Sequence, residues 1–229
     1  MQLTIYTCVT GKIRDELDVM LSSRPEPQDG VEYVYITDRL KPQIFRHPKG
    51  TVAWRIISPL WKHKTSGRRT ARYHKANSHL VFPESRTTLW LDGAFQLNSE
   101  VRPLDLINRY LEQHHLTCFR HPERNCIYQE LDACIRLKKD DPDVMRRQIA
   151  RYKFEGYPPY NGLVETGCLF RRNSPEIRKF NELWWREIEQ GSLRDQLSFN
   201  YLTWKLNLDW DAIQVSRYKS PHFTYYPHK

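Results

Sequence analysis

The run Thr88-Leu89-Trp90-Leu91-Asp92-Gly93-Ala94-Phe95 constrains this chain more than any other segment. Its apolar centre reads as a buried strand, and it delivers a single carboxylate, Asp92, onto a glycine turn. Other segments repeat the theme. Leu3–Val9 reads as a strand ending at Thr10-Gly11. Glu32–Thr37 reads as a second strand with Asp38 at its end, and Val52–Ser58 as a third. Between and after them come helical patterns. Ile13–Leu21 has weak helical spacing, and Leu60–Ser78 can hold a helix from about Gly67. Pro103, Pro142 and Ser174-Pro175 each open a periodic apolar run, with Gly156 and Gly191 as stops. Ser192–Leu206 reads as a further helix, with Ser192 as N-cap and Asp195 three residues on. Gly162–Arg172 and Ala212–Ser216 read as strands. Strands alternating with helices predict an α/β fold with a mostly parallel central sheet flanked by helices. Ligands in such folds gather at the carboxyl ends of strands, where Gly11, Asp38 and Asp92 all fall.

Length and composition narrow the class. The 229 residues fit one domain, 1–229, with no composition break strong enough to cut it. The net charge of +9 suits a nucleic acid, an anionic surface or a phosphorylated substrate as partner, and the basic residues concentrate locally at Arg68–Lys75. Seven Trp, 13 Tyr and 9 Phe supply core or stacking surface. Five cysteines without a C-x-x-C pair read as reduced thiols in a cytosolic setting. The first residues read as a strand rather than a signal peptide, and no window approaches a membrane span.

Several constellations carry chemistry, and each has a plainer reading. Asp92-Gly93 can ligate a divalent cation or a sugar hydroxyl, or simply make a turn. On a helix, Arg68, Arg72 and Lys75 share one face at i, i+4 and i+7, fit to grip a diphosphate or to sit as a solvated basic face. Glu165, between Gly162 and Gly167, can act as a base or lie exposed on an edge strand. Arg194-Asp195-Gln196 stand at a helix N-terminus, where hydroxyl-rich ligands bind but where a capping box needs no ligand. His222 and His228, in an aromatic tail, can complete a metal site or contact a phosphate, or belong to a loose terminus. The chain contains no P-loop, G-x-G-x-x-G, G-x-S-x-G or H-E-x-x-H motif.

Eight blocks in register carry a resemblance. They are Arg69-x-x-Arg72-x-x-Lys75 with His79 and Phe82-Pro83, then Leu89-Trp90-Leu91-Asp92-Gly93, then His121-Pro122-x-Arg124-x-Cys126-x-Tyr128-x-Glu130. Gln148-x-x-x-Tyr152-x-x-Glu155-Gly156-x-Pro158, Gly162-Leu163-x-Glu165 and Arg171-Arg172 follow. Leu183-Trp184-Trp185-x-Glu187 and Ser192-x-Arg194-Asp195-Gln196-Leu197-Ser198-Phe199 close the series. In this order they resemble a glycosyltransferase-like family known by a domain-of-unknown-function label. It includes bacterial members and plant Golgi proteins linked to cell-wall polysaccharide synthesis, and a ceramidase role is attached to one branch. The resemblance implies a single GT-A-like, Rossmann-like domain. Residues 1–100 would form its nucleotide-sugar half and 101–229 its acceptor-side helical half.

Carried over, Thr7, Gly11 and Asp38 would lie near the nucleotide, and Arg68, Arg72 and Lys75 near the diphosphate. Asp92, with Gly93, would meet a metal or the donor sugar. Asp195 and Gln196, beside Arg194, resemble an Asp-Gln pair at a donor sugar, and Glu165 would face the acceptor. The implied cofactors are Mn²⁺ or Mg²⁺, held by Asp92 and His222, with a UDP- or GDP-linked sugar as donor. The chain departs from the family in two places. Gly11-Lys12-Ile13-Arg14-Asp15 replaces a glycine-tyrosine-aspartate turn, and no D-x-D accompanies Asp92.

The expectation is therefore a cytoplasmic, peripherally membrane-associated glycosyltransferase acting on a glycan or glycolipid hydroxyl. Asp92, Glu165 and Asp195 are its catalytic candidates. The alternative is a non-enzymatic basic protein binding nucleic acid or an anionic polymer.

Overall fold

A computed structural model describes residues 1–11 and 19–226. His228 and most of the Ile13–Leu21 segment lie outside the described residues. The strands are β1 (Leu3–Cys8), β2 (Val31–Ile36), β3 (Gln43–Arg46), β4 (Ala53–Ile57) and β5 (Thr87–Leu91). They continue as β6 (Phe95–Leu97), β7 (Leu116–Arg120), β8 (Val164–Arg172), β9 (Asp211–Ile213) and β10 (Phe223–Tyr225). The helices are α1 (Gly67–Ala76), α2 (Ser78–Val81), α3 (Pro103–Leu111), α4 (Ile127–Arg136), α5 (Pro142–Phe154), α6 (Pro175–Gln190) and α7 (Gln196–Lys205).

Eight strands form one sheet in the order β3-β4-β2-β1-β5-β8-β7-β9, while β6 and β10 make a separate two-stranded ribbon. The fold is α/β with a mixed central sheet. Its centre, β4-β2-β1-β5, is parallel as the strand–helix alternation predicts. β8 then inserts antiparallel to both β5 and β7, and β3 closes the far edge antiparallel to β4. This insertion brings the amino end of β8 to the same sheet edge as the carboxyl ends of β1, β5 and β7.

Alternation along the strands explains the layers. In β5 all five residues are buried, as expected of a strand covered on both faces. Trp90 joins Tyr6, Val34 and Leu169 under α1 and α4–α7, whereas Leu89 and Leu91 join Leu3, Ile5 and Phe170 under α3 and the β6–β10 ribbon. The five cysteines are buried free thiols. No helix of the described residues is long and apolar enough to cross a membrane.

The helix starts are chemically ordinary. Ser66 caps α1 by accepting from the Arg69 amide at 3.2 Å, and prolines occupy the first turns of α3, α5 and α6. Two expectations change. The last long helix begins at Gln196 and its N-cap is Asp195, not Ser192. Ser192 instead donates its hydroxyl to Asp140 at 2.7 Å and accepts the Arg194 amide at 3.0 Å. The segment read as a strand from Gly162 starts at Val164.

Candidate functional site

Helix α1 is pressed against the end of β1. A Cβ on Gly67 would stand 2.9 Å from the Thr10 carbonyl oxygen, so only glycine allows the helix to begin there. That docking aims the predicted basic face at the sheet edge. Lys75 and Arg72 converge on two carboxylates, one from each half of the chain. Lys75 Nζ lies 2.6 Å from Asp195 and 3.6 Å from Asp92. Arg72 lies 3.3 Å from Asp195 and 4.0 Å from Asp92. Thr166 of β8 accepts from Lys75 Nζ at 3.0 Å, and Trp90 Nε1 donates to Asp92 at 2.8 Å.

The two acids differ in setting. Asp195 is buried, and burial pushes its carboxyl up, but Arg72 and Lys75 outweigh burial and hold it far below the usual carboxylate range. It is a fixed counter-ion. The Asp92 side chain is 36 % exposed and reaches solvent from the top of this buried platform. It is aimed by the Asp92-to-Phe95 turn, closed by the Phe95 amide donating to the Asp92 carbonyl at 2.9 Å, with Gly93 inside it. From below, the Asp92 amide donates to the Gly167 carbonyl at 2.7 Å. A Cβ on Gly167 would meet Phe95 at 2.9 Å and Asp92 Oδ2 at 3.3 Å.

Glu165, two residues before Gly167, is buried on the neighbouring stretch of β8. Arg217, from the C-terminal segment, lies 2.6 Å from Glu165 Oε1 and is held between the rings of Tyr218 and Tyr225, at 4.8 and 4.3 Å from their centroids. Oε2 has no hydrogen-bond partner among the described residues. Burial pushes the Glu165 carboxyl up to about 7, against the pull of Arg217. Its position and protonation make it the group here best matched to proton transfer at neutral pH.

Other predicted residues divide. Gly11 and Asp38 do meet: the Gly11 amide donates to Asp38 at 3.3 Å, and Lys62 lies 2.6 Å from the same carboxylate. Arg39 reaches back to the Gly11 carbonyl. Arg68 is exposed one turn from Arg72, with Asp140 and Asp195 acting on it only at longer range.

The remaining predicted residues have other surroundings. Thr7 is fully buried within β1, and its hydroxyl has no hydrogen-bond partner among the described residues. Gln196 spends its amide internally, donating to the Val164 carbonyl at 3.0 Å and accepting from Arg194 at 2.6 Å. Arg194 also lies 3.7 Å from the buried Glu130, while its Nε is buried without a hydrogen-bond partner among the described residues. His222 is not beside Asp92. The ribbon register sets Tyr225 opposite Phe95 and Phe223 opposite Leu97, so His222 falls at the far end. There its ring is 6.0 Å from Tyr110 of α3. Among the described residues no three His, Cys, Asp or Glu side chains form a group fit for a metal.

The structure adds residues that sequence reading passed over. Trp90 and Glu130 stood inside quoted blocks without a role. Arg217 carried no sequence signal, because its link to Glu165 spans 52 positions and depends on how the tail returns over the sheet.

The profile of a family described as "TOD1/MUCI70, glycosyltransferase-like domain" matches residues 35–223. A protein of Arabidopsis thaliana named "Probable hexosyltransferase MUCI70" is 31 % identical over 157 residues, covering 64 % of this chain and 27 % of that protein. Another from the same plant, "Alkaline ceramidase TOD1", is 28 % identical over 140 residues, covering 56 % of this chain and 30 % of that one. The matched segments thus span less than a third of those relatives. Among solved structures, apo mouse xyloside xylosyltransferase 1 aligns with a TM-score of 0.49 at 11 % identity, over 93 % of this chain and 84 % of that one.

Proposed function

The chain belongs to the TOD1/MUCI70 glycosyltransferase-like domain family, and on that premise we propose that it moves a sugar from a nucleotide-diphospho-sugar to a hydroxyl of a glycan or glycolipid. The observation that carries this reading is the partly exposed Asp92 carboxylate seated on the buried Lys75–Asp195–Arg72 platform. Sugar transfer from a diphosphate needs positive charge where the leaving group departs and an oriented acceptor for sugar hydroxyls. Arg72 and Lys75 supply the charge at fixed positions, with the exposed Arg68 extending it outward. Asp195 keeps both cations in place. Gly11 and Asp38, at the ends of β1 and β2, are the candidates for nucleotide contact.

In a direct displacement the acceptor oxygen bonds to the anomeric carbon. The anomeric carbon–oxygen bond to the diphosphate breaks, and its electron pair leaves on the diphosphate. The acceptor proton goes to a carboxylate. Glu165 suits that task and Asp195 does not, because Asp195 is locked as a counter-ion while the Glu165 carboxyl is raised to about 7. A Mn²⁺ or Mg²⁺ ion at Asp92 would stand close to Lys75 and Arg72, which lie 3.6 and 4.0 Å from Asp92 Oδ1. Two fixed cations there fit a divalent ion poorly, so we assign stabilisation of the leaving group to the side chains themselves.

Thermal-shift titration with UDP-, GDP- and CDP-sugars tests the reading. Stabilisation by one nucleotide class, lost in Arg72→Ala, supports it. No shift with any nucleotide, together with salt-sensitive nucleic-acid binding, would transfer the chain to the basic-binder alternative. Ceramide hydrolysis without any nucleotide sugar would instead support the activity in the second relative's name.

A further inference from the structure

Glu130, on α4, is a buried carboxylate that sugar transfer as described above leaves without a task. Its side chain is 4 % exposed, and groups from separate segments converge on it. Arg124, in the turn between β7 and α4, donates from Nε to Glu130 Oε2 at 2.8 Å, and His121 stands 3.8 Å from the same oxygen. On the other side, Arg194, in the turn between α6 and α7, lies 3.7 Å from Oε1. Cys134, one helical turn on, donates its thiol to Oε1 at 3.3 Å. Taking a carboxylate out of water is costly, and here two guanidinium groups offset the cost.

Both sides of this grip lead to β8. Arg194 donates to Gln196 Oε1 at 2.6 Å, and Gln196 donates to the Val164 carbonyl at 3.0 Å. His121 Nδ1 accepts the Arg124 amide at 3.1 Å, and the His121 amide donates to the Leu163 carbonyl at 2.9 Å. Leu163 and Val164 directly precede Glu165. One carboxylate thus anchors both hydrogen-bonded routes to the backbone that carries Glu165.

Glu130 also acts on Glu165 through its charge. The groups that face Glu165 come from several elements. Arg217 and Tyr225 belong to the C-terminal segment, Asp92 to the turn after β5, Cys118 to β7, and Glu123 and Glu130 to the β7–α4 side. Of the three acids, Asp92 is 36 % exposed and Glu123 71 %. Water screens both of those, so Glu130 is the acid whose field reaches Glu165 through the protein interior.

We propose that Glu130 is a positioning residue for the transfer, acting through Arg194 and the β7–α4 turn to fix the backbone that carries Glu165, and through its own charge on the Glu165 carboxyl. The inference rests on the sugar-transfer reading, and its test separates the two. Transfer rates are measured across pH, and the Glu165 carboxyl is titrated by ¹³C NMR in the full chain with no sugar added. Glu130→Gln removes the charge, and it should move both the Glu165 titration and the rising limb of the rate to lower pH by about one unit. Glu130→Asp keeps the charge but draws the carboxylate back from its partners. There the limb should stay in place while kcat falls about tenfold or more with little change in the donor KM. Glu123→Gln should leave titration and limb where they are. A merely structural Glu130 would lower the melting temperature of both variants and move neither the limb nor the titration.

An unmoved titration in Glu130→Gln, or an equal movement in Glu123→Gln, would overturn the inference. Unchanged kcat in Glu130→Asp would overturn it as well, and that variant decides alone if Glu130→Gln does not fold. If no donor is turned over yet the Glu165 titration moves in Glu130→Gln, the transfer reading fails and the coupling of the two carboxylates stands. If transfer proceeds and the titration is unmoved, the inference fails alone.

Discussion

Lys75 and Asp195 face each other at 2.6 Å with side chains only 1 and 2 % exposed. Their helices, α1 and α7, come from opposite halves of the chain, so this pair joins the halves at the sheet edge. Removing one partner strands the other without water. Lys75→Met should therefore cost about 3–5 kcal/mol in urea unfolding. A double-mutant cycle with Asp195→Asn should recover part of the loss, and simple additivity would refute the coupling.

Asp92 stands on the same platform but is 36 % exposed, which separates its role from the fold. Asp92→Asn keeps an acceptor for Trp90 Nε1 and should change stability by no more than about 0.5 kcal/mol. Transfer should fall roughly 10²–10³-fold, the size of a lost fixed electrostatic contact. An active Asp92→Asn protein with a normal melting curve would remove Asp92 from the site.

The Glu165 carboxyl titrates at about 7 when folded against 4.5 ordinarily. The folded chain thus binds this proton more tightly than the unfolded chain. The stability it contributes is complete below about pH 4.5 and is lost as pH rises through about 7, in total about 3 kcal/mol. Activity runs the other way, because a base must be ionised: the transfer rate should climb with pH across about 7. Glu165→Gln should flatten both profiles. Arg217→Ala should move the activity limb to higher pH, since Arg217 pulls the carboxyl down against burial.

Gly167 lets Phe95 and Asp92 close over β8. Gly167→Ala places a methyl 2.9 Å from the Phe95 ring and should destabilise by about 1–3 kcal/mol. Since the same methyl presses on Asp92, the transfer rate should drop more than nucleotide affinity. Equal losses in both would point to a general loosening.

With Lys75 and Arg72 already beside Asp92, chelation by EDTA should leave both nucleotide binding and the transfer rate unchanged. Loss of activity restored by Mn²⁺ would return a metal to Asp92.

Much of this layout was legible in the residues. The Leu89–Leu91 run, the Gly67 start of α1 and the prolines opening α3, α5 and α6 are local signals, and local signals survive folding. The i, i+4, i+7 spacing of Arg68, Arg72 and Lys75 fixed which side chains share a face. The short strands β3, β6, β7 and β10 had too little pattern of their own. Their strand character comes from partners far away in sequence, as with Phe223 against Leu97.

Periodicity and turn chemistry act over a few residues, so an α/β chain with a strand-end carboxylate beside a basic helical face is written in the residues themselves. The surroundings of each carboxylate come from the folded chain alone. Ionisation and reach depend on burial and on charges brought in from distant segments. Arg72 and Lys75 turn Asp195 into a fixed counter-ion, Arg217 returns from the tail to hold Glu165, and the ribbon register carries His222 away from Asp92.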